Sequence, residues 1–204
     1  MASSYAARVS DFFEPPAPPK VEGKPAPRED WMGPPRRVVP AVVPIERVVA
    51  RTDEVGIYLG CFSVYPTGFE FEVFITAKDE WTDLDPLQFD HHYRAQDTGE
   101  IPPGQLRLGF QFADGTKVTN TNGRFDWDGE FGSSPKSPVM SGGRGSSGEG
   151  QWHHTFWIWP LPPPGPLEFA CEWPAAKIPL TRSDLDAAAI IEAASRAQAI
   201  FPDE

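Results

Sequence analysis

Between residues 69 and 76 apolar and polar positions alternate: Phe69, Phe71, Val73 and Ile75 against Glu70, Glu72 and Thr76. A period of two predicts a strand with one buried and one wet face. The pattern returns in Leu106, Leu108, Phe110 and Phe112 against Arg107, Gly109 and Gln111, and in Leu167, Phe169, Cys171 and Trp173 against Glu168 and Glu172. Val55, Ile57, Leu59 and Cys61 share one phase of a strand over 55–65, and the β-branched run VVPAVVPIERVVA predicts a strand near 44–50 with Pro40 and Pro44 at an edge. Pro66-Thr67-Gly68 reads as a turn, and Asp114-Gly115 as a hairpin turn whose return strand begins at Thr116–Thr119.

The stretch 151–174 holds Trp152, Trp157, Trp159 and Trp173, four of the seven tryptophans, in two apolar runs separated by prolines. It reads as a core hairpin. Its first arm is apolar on both faces, with Trp152, Phe156 and Ile158 on one and Trp157 and Trp159 on the other, so it should be central and covered twice. The C-terminus offers the second cover. Thr181 with Asp184 resembles a capping box, and Ala187, Ile190, Ile191, Ala194, Ala197 and Phe201 form one helical stripe ended by Pro202, predicting a helix at about 183–200. The polar region 120–150 reads as loop, with Gly142–Gly148 as a hairpin loop. The expected fold is mainly β: an antiparallel β-sandwich or curled sheet of seven to eight strands with one C-terminal α-helix packed on it.

Composition adds a boundary. Ten of the 24 prolines fall within 1–44, where apolar periodicity is absent, so residues 1–37 read as a disordered proline-rich arm and 38–204 as a single domain. Phe12, Phe13, Trp31 and Met32 would be the anchors if the arm docks on a partner; otherwise it is an inert tail. A net charge of -11 excludes nucleic acid and anionic membrane as partners, since neutralising phosphates requires a basic patch. No apolar run reaches the ~20 residues of a membrane span, and the first residues lack a signal-peptide core, which together predict a soluble cytoplasmic protein. Cys61 and Cys171 are expected as buried free thiols, with a disulfide between them as the alternative.

The densest candidate chemistry is 79–100, with seven carboxylates against Arg94 alone. Long irregular excursions of this kind are often functional. Trp81, Asp83, Asp85, Phe89, Asp90, His91, His92 and Tyr93 are the candidate binding residues, aromatics among carboxylates suited to a basic protein partner. All four histidines lie in adjacent pairs, His91-His92 and His153-His154. Neighbours on a strand face opposite ways, so each pair offers one imidazole to a common site. The weak metal candidates are His92, His153 and His154, completed by Asp83, Asp85 or Asp90; the spacing matches no metal signature. Asn120 to Gly123 and Asp126 to Glu130 hold fragments of a calcium loop, better explained as polar turns. The run Gly142–Gly148 has no phosphate-loop spacing, and both cysteines share the phase of apolar neighbours, which argues against a reactive thiolate.

The segments VVPIERVVART, VYPTGFEFEVFI and IWPLPPPGPLEFACEWPAAKIPLTRSDLDAAAIIEAASRA resemble a family of uncharacterised bacterial proteins, mostly from high-GC Gram-positive bacteria. The resemblance covers about 44–200. It implies a single domain in a bacterial cytoplasmic setting and carries over no catalytic residue and no cofactor. The expected function is a non-enzymatic module binding another protein through the acidic 79–100 loop and the arm. The alternatives are a small-ligand or metal-dependent enzyme centred on the two histidine pairs, and carbohydrate binding through exposed tryptophans.

Overall fold

The structure is a computed structural model, and it describes residues 28–78, 100–121, 135 and 138–201. A single turn of 3-10 helix at Asp30–Met32 is followed by β1 (Val38–Val39), β2 (Ala41–Arg51), β3 (Val55–Val64), β4 (Phe69–Ala77), β5 (Arg107–Gln111), β6 (Lys117–Thr119), β7 (Val139–Gly148), β8 (Gln151–Trp159), β9 (Pro166–Trp173) and β10 (Ile178–Asp186). Helix α1 (Ala187–Arg196) and β11 (Gln198–Ala199) end the described chain. One antiparallel sheet has the order β2-β3-β4-β8-β7, a second β10-β9-β5-β6, and β1 pairs with β11. The fold is therefore mainly β, with eleven strands in three sheets and one α-helix, near the C-terminus, among the described residues.

The alternating strands place their apolar phase between the two larger sheets. Phe62, Phe69 and Phe71 from one meet Phe110 and Phe169 from the other, with the Phe110 ring 5.0 Å from Phe71 and 5.2 Å from Phe169. The expected turns are present. Tyr65 N–H donates to Gly68 O across Pro66-Thr67, and the Asp114-Gly115 turn joins β5 to β6 with Gly115 at φ 84, a conformation that costs glycine nothing.

Several expectations are corrected. The two arms of 151–174 do not pair: β8 lies in the five-stranded sheet and β9 in the four-stranded one. The connection carries Pro160, Pro162, Pro163 and Pro164, which have no N–H to give a hairpin ladder, and it serves as the crossover between layers. The run Gly142–Gly148 is not a loop but most of β7, held by pairing with β8. The helix begins at Ala187, not near 183, because residues 181–186 pair with 166–171 and Thr181 Oγ1 donates to Cys171 O. Asp186 is the cap, accepting from Ala188 N–H and Ala189 N–H.

The last correction concerns the second cover of β8. Helix α1 packs against β2 and β3, burying Ala187, Ile190 and Ala193. The outward face of β8 is covered instead by the Asp30–Met32 turn: Trp157 Nε1–H donates to Asp30 O at 3.1 Å, and Trp31 is only 8% exposed. Residues 28–37, read from composition as part of a free arm, thus include a docked element. Burial of the Trp31 side chain offsets the ordering of a short segment. The described helix is too short to cross a membrane, and no candidate span exists among the described residues.

Candidate functional site

Trp81, Asp83, Asp85, Phe89, Asp90, His91, His92 and Tyr93 all lie outside the described residues, as do Phe12 and Phe13. Of the sequence-derived candidates, the structure places His153, His154, Cys61 and Cys171. His154 points into the sheet's inner side, buried, with its ring 4.7 Å from Phe156, whereas His153 stands on the solvent face. The pair therefore contributes one imidazole to either face, as adjacent strand positions must. Among the described residues no group of three His, Cys, Asp or Glu side chains is placed to hold a metal ion.

Cys61 departs from the expected phase. Leu59 pairs with Val73 and Phe62 with Phe71, so Gly60 and Cys61 together oppose Glu72. This bulge returns Phe62 to the core and leaves Cys61 half-buried on the outer side. Its Sγ lies 3.4 Å from Glu72 Oε2, and Glu72 Oε1 lies 3.5 Å from His153 Nε2. A cysteine, a carboxylate and an imidazole thus stand in line, but with the carboxylate in the middle. Burial, and then the hydrogen bond to Glu72, push the Cys61 thiol above its ordinary value, the opposite of what a nucleophile requires. Cys171 is a free core thiol pushed up to about 12, chiefly by burial.

Above this line runs a feature that crosses four strands. Val48 pairs with Tyr58, Tyr58 with Phe74, and Phe74 with His153, so all four stand in one row on the solvent face of the five-stranded sheet. The rings stack: Tyr58 and Phe74 at 4.8 Å between centroids, Phe74 and His153 at 4.4 Å. Stacking joins the three rings into one continuous ridge, with Val48 at its end. Tyr58 remains 38% and Val48 59% exposed. The sequence carried the signal, since Tyr58 and Phe74 occupy the wet phase of their strands. Glu70, beyond Glu72 on the same face of β4, is half-buried opposite Trp157 and accepts from Tyr65 Oη at 3.3 Å. Burial raises the Glu70 carboxyl above its usual range despite the tyrosine and two arginines, and Tyr65 is pushed up to about 12 by burial and by Glu70.

Glu70 carries a pH prediction. Its folded-state value is raised, so over the window from about 4.5 upward the folded chain keeps a proton that the unfolded chain has lost, and stability falls as pH rises through it. Glu70→Gln is expected to remove that decline. In thermal melts, the melting temperature of the variant relative to wild type should increase between pH ~4 and ~7. A gap that narrows would mean the nearby Arg144 and Arg28 dominate.

The four-stranded sheet offers a second surface. On its solvent face Gly109 pairs with Ala170, and these two minimal side chains leave a hollow of about 210 Å³. The Arg107–Glu172 ion pair, 2.6 Å, closes one end and the Glu168–Arg182 pair the other, with Leu180 exposed at the lip. Both glutamates are already neutralised by their arginines. Of the described tryptophans, Trp31, Trp157 and Trp173 are buried, and Trp152 and Trp159 lie on opposite faces of β8. They form no shared stacking groove. No family model, curated protein or solved structure matches the chain.

Proposed function

We propose that this chain is a non-catalytic β-sandwich module that binds another protein, and that the solvent face of the five-stranded sheet carries the contact. The supporting observation is the Val48–Tyr58–Phe74–His153 ridge: a sheet with one face on the core ordinarily presents polar side chains on the other. An aromatic ridge beside Glu70 and Glu72, on a chain of net charge -11, suits a partner with apolar side chains and a basic rim. The acidic 79–100 stretch, with Asp83, Asp85 and Asp90, and the proline-rich arm extend the same charge and apolar character. A bacterial cytoplasmic setting belongs to this reading through the family resemblance.

The test is a photoreactive phenylalanine at position 58, with the same probe at Leu180 on the opposite sheet as the control. The expected result is a heterologous cross-link at 58 that disappears with Val48→Glu, a surface change worth less than ~0.5 kcal/mol of stability. Cross-linking from 180 with none from 58 would move the contact to the other sheet and overturn the assignment.

A further inference from the structure

The two edges of the five-stranded sheet are closed differently. Strand β2 is preceded by Pro40, contains Pro44, shifts register between Pro44 and Arg47 and again between Val48 and Ala50, and carries Glu46 at φ 47. Prolines, bulges and charges are the devices that stop an edge from recruiting another strand. At the opposite edge β7 has one irregularity, between Gly142 and Gly145. Beyond it Gly145 to Gly148 pairs without interruption with His154 to Gln151. This stretch has no proline, no charge and no side chain larger than serine, and residues 143–149 are exposed.

The geometry of the turn tells which groups are open. Glu149 and Gly150, at φ 52 and 73, form a two-residue connection between β7 and β8. In such a hairpin the closing pair, here Gly148 and Gln151, exchanges its main-chain hydrogen bonds internally, and the pattern alternates from there. Ser146 therefore faces β8 with its N–H and C=O, while Gly145 and Ser147 turn theirs outward.

We propose that this edge pairs with the same edge of a second copy of the chain, antiparallel about a two-fold axis at Ser146. In that register Gly145 of one copy meets Ser147 of the other, twice, so every outward group finds its complement. The flanking charges choose the direction. Arg144 stands at one end of the stretch and Glu149 at the other. Antiparallel pairing brings each Arg144 near the other copy's Glu149, whereas parallel pairing would set like charges side by side. Glycine and serine build no pocket with which to select a foreign peptide, and a self-complementary edge closes on itself. Two residues per copy make a ladder far smaller than a standard interface of about 1,600 Å², so the dimer is weak and concentration-dependent. Ser146 pairs with His153, so this edge adjoins the end of the aromatic ridge, but the pairing uses the edge's main-chain groups and not that ridge.

Sedimentation of the full chain over a concentration series should show a reversible monomer–dimer equilibrium. Ser147→Pro removes only an outward N–H, which an edge strand tolerates, and is expected to leave a folded monomer at every concentration. Arg144→Glu and Glu149→Arg should each weaken the dimer, and the two together should restore it; because Arg144 also acts on Glu70, the restored double variant is the decisive arm. In wild type, amide exchange at Gly145 and Ser147 should slow as concentration rises, a readout that stands even if the proline variant fails to fold. A chain that stays monomeric throughout, or a dimer that survives Ser147→Pro, overturns the proposal.

Discussion

Phe110→Ala is expected to lower the unfolding free energy by about 4 kcal/mol, within the ~3–5 kcal/mol typical of emptying a buried phenylalanine site. The ring is 1% exposed and sits where the sheets meet, with edge contacts at 5.0 Å to Phe71, 5.5 Å to Phe69, 6.1 Å to Phe62 and 5.2 Å to Phe169. These neighbours come from both layers and are anchored by their own strands, so they cannot collapse into the space, and the cavity cost adds to the lost transfer energy. Against a total of ~5–15 kcal/mol for a domain, the variant would stand near the limit of folding. Urea denaturation with unchanged slope and a lower midpoint is the expected result. Phe110→Leu should recover more than half of the loss. A cost below ~1 kcal/mol for the alanine variant would mean that the ring does not join the sheets.

Phe110 was legible in advance because its strand alternates cleanly, and so were β4 and β9. Period two is a local property and survives whatever the topology does with the strand. The features that escaped are set by relations between distant segments. The bulge at Gly60–Cys61 is invisible to a strict alternation, which carried Cys61 into the core phase when the extra residue actually returns Phe62 there. Strand β7 reads as loop because glycine and serine carry no pattern; only its pairing with β8 makes it a strand. The proline run after Trp159 marks a turn in either topology, and nothing local distinguishes a hairpin from a crossover. Trp31 looked like part of a free arm because the strand that its turn packs on, β8, comes far later in the chain: Trp157 donates to Asp30 O across 127 positions. For the site, the wet-phase aromatics Tyr58 and Phe74 were in plain view, but their union into one row with Val48 and His153 depends on the order β2-β3-β4-β8, which alternation does not encode.

Position 157 tests that hidden contact. Trp157 is 2% exposed although it points away from the core, because the Asp30–Met32 turn and Tyr65, whose ring lies edge-on at 5.7 Å, cover it. Gly68 beneath it leaves the room: a Cβ there would come within 2.6 Å of the indole. Trp157→Ala should therefore cost ~3–5 kcal/mol, as for other large buried aromatics, and should also release the Asp30–Met32 turn from β8. Trypsin cleavage after Arg36 and Arg37 should accelerate in the folded variant, while urea melts report the global loss. Trp157→Phe keeps most of the packing and removes the hydrogen bond to Asp30 O, so its cost should fall nearer ~1–2 kcal/mol. Removing residues 1–33 from the wild-type chain should cost about as much as burying one large apolar side chain contributes, ~1.5–3 kcal/mol. If that truncation were silent while Trp157→Ala remained costly, the indole would be held by Tyr65 and Gly68 alone, and the turn at Asp30–Met32 would be a passenger on the sheet.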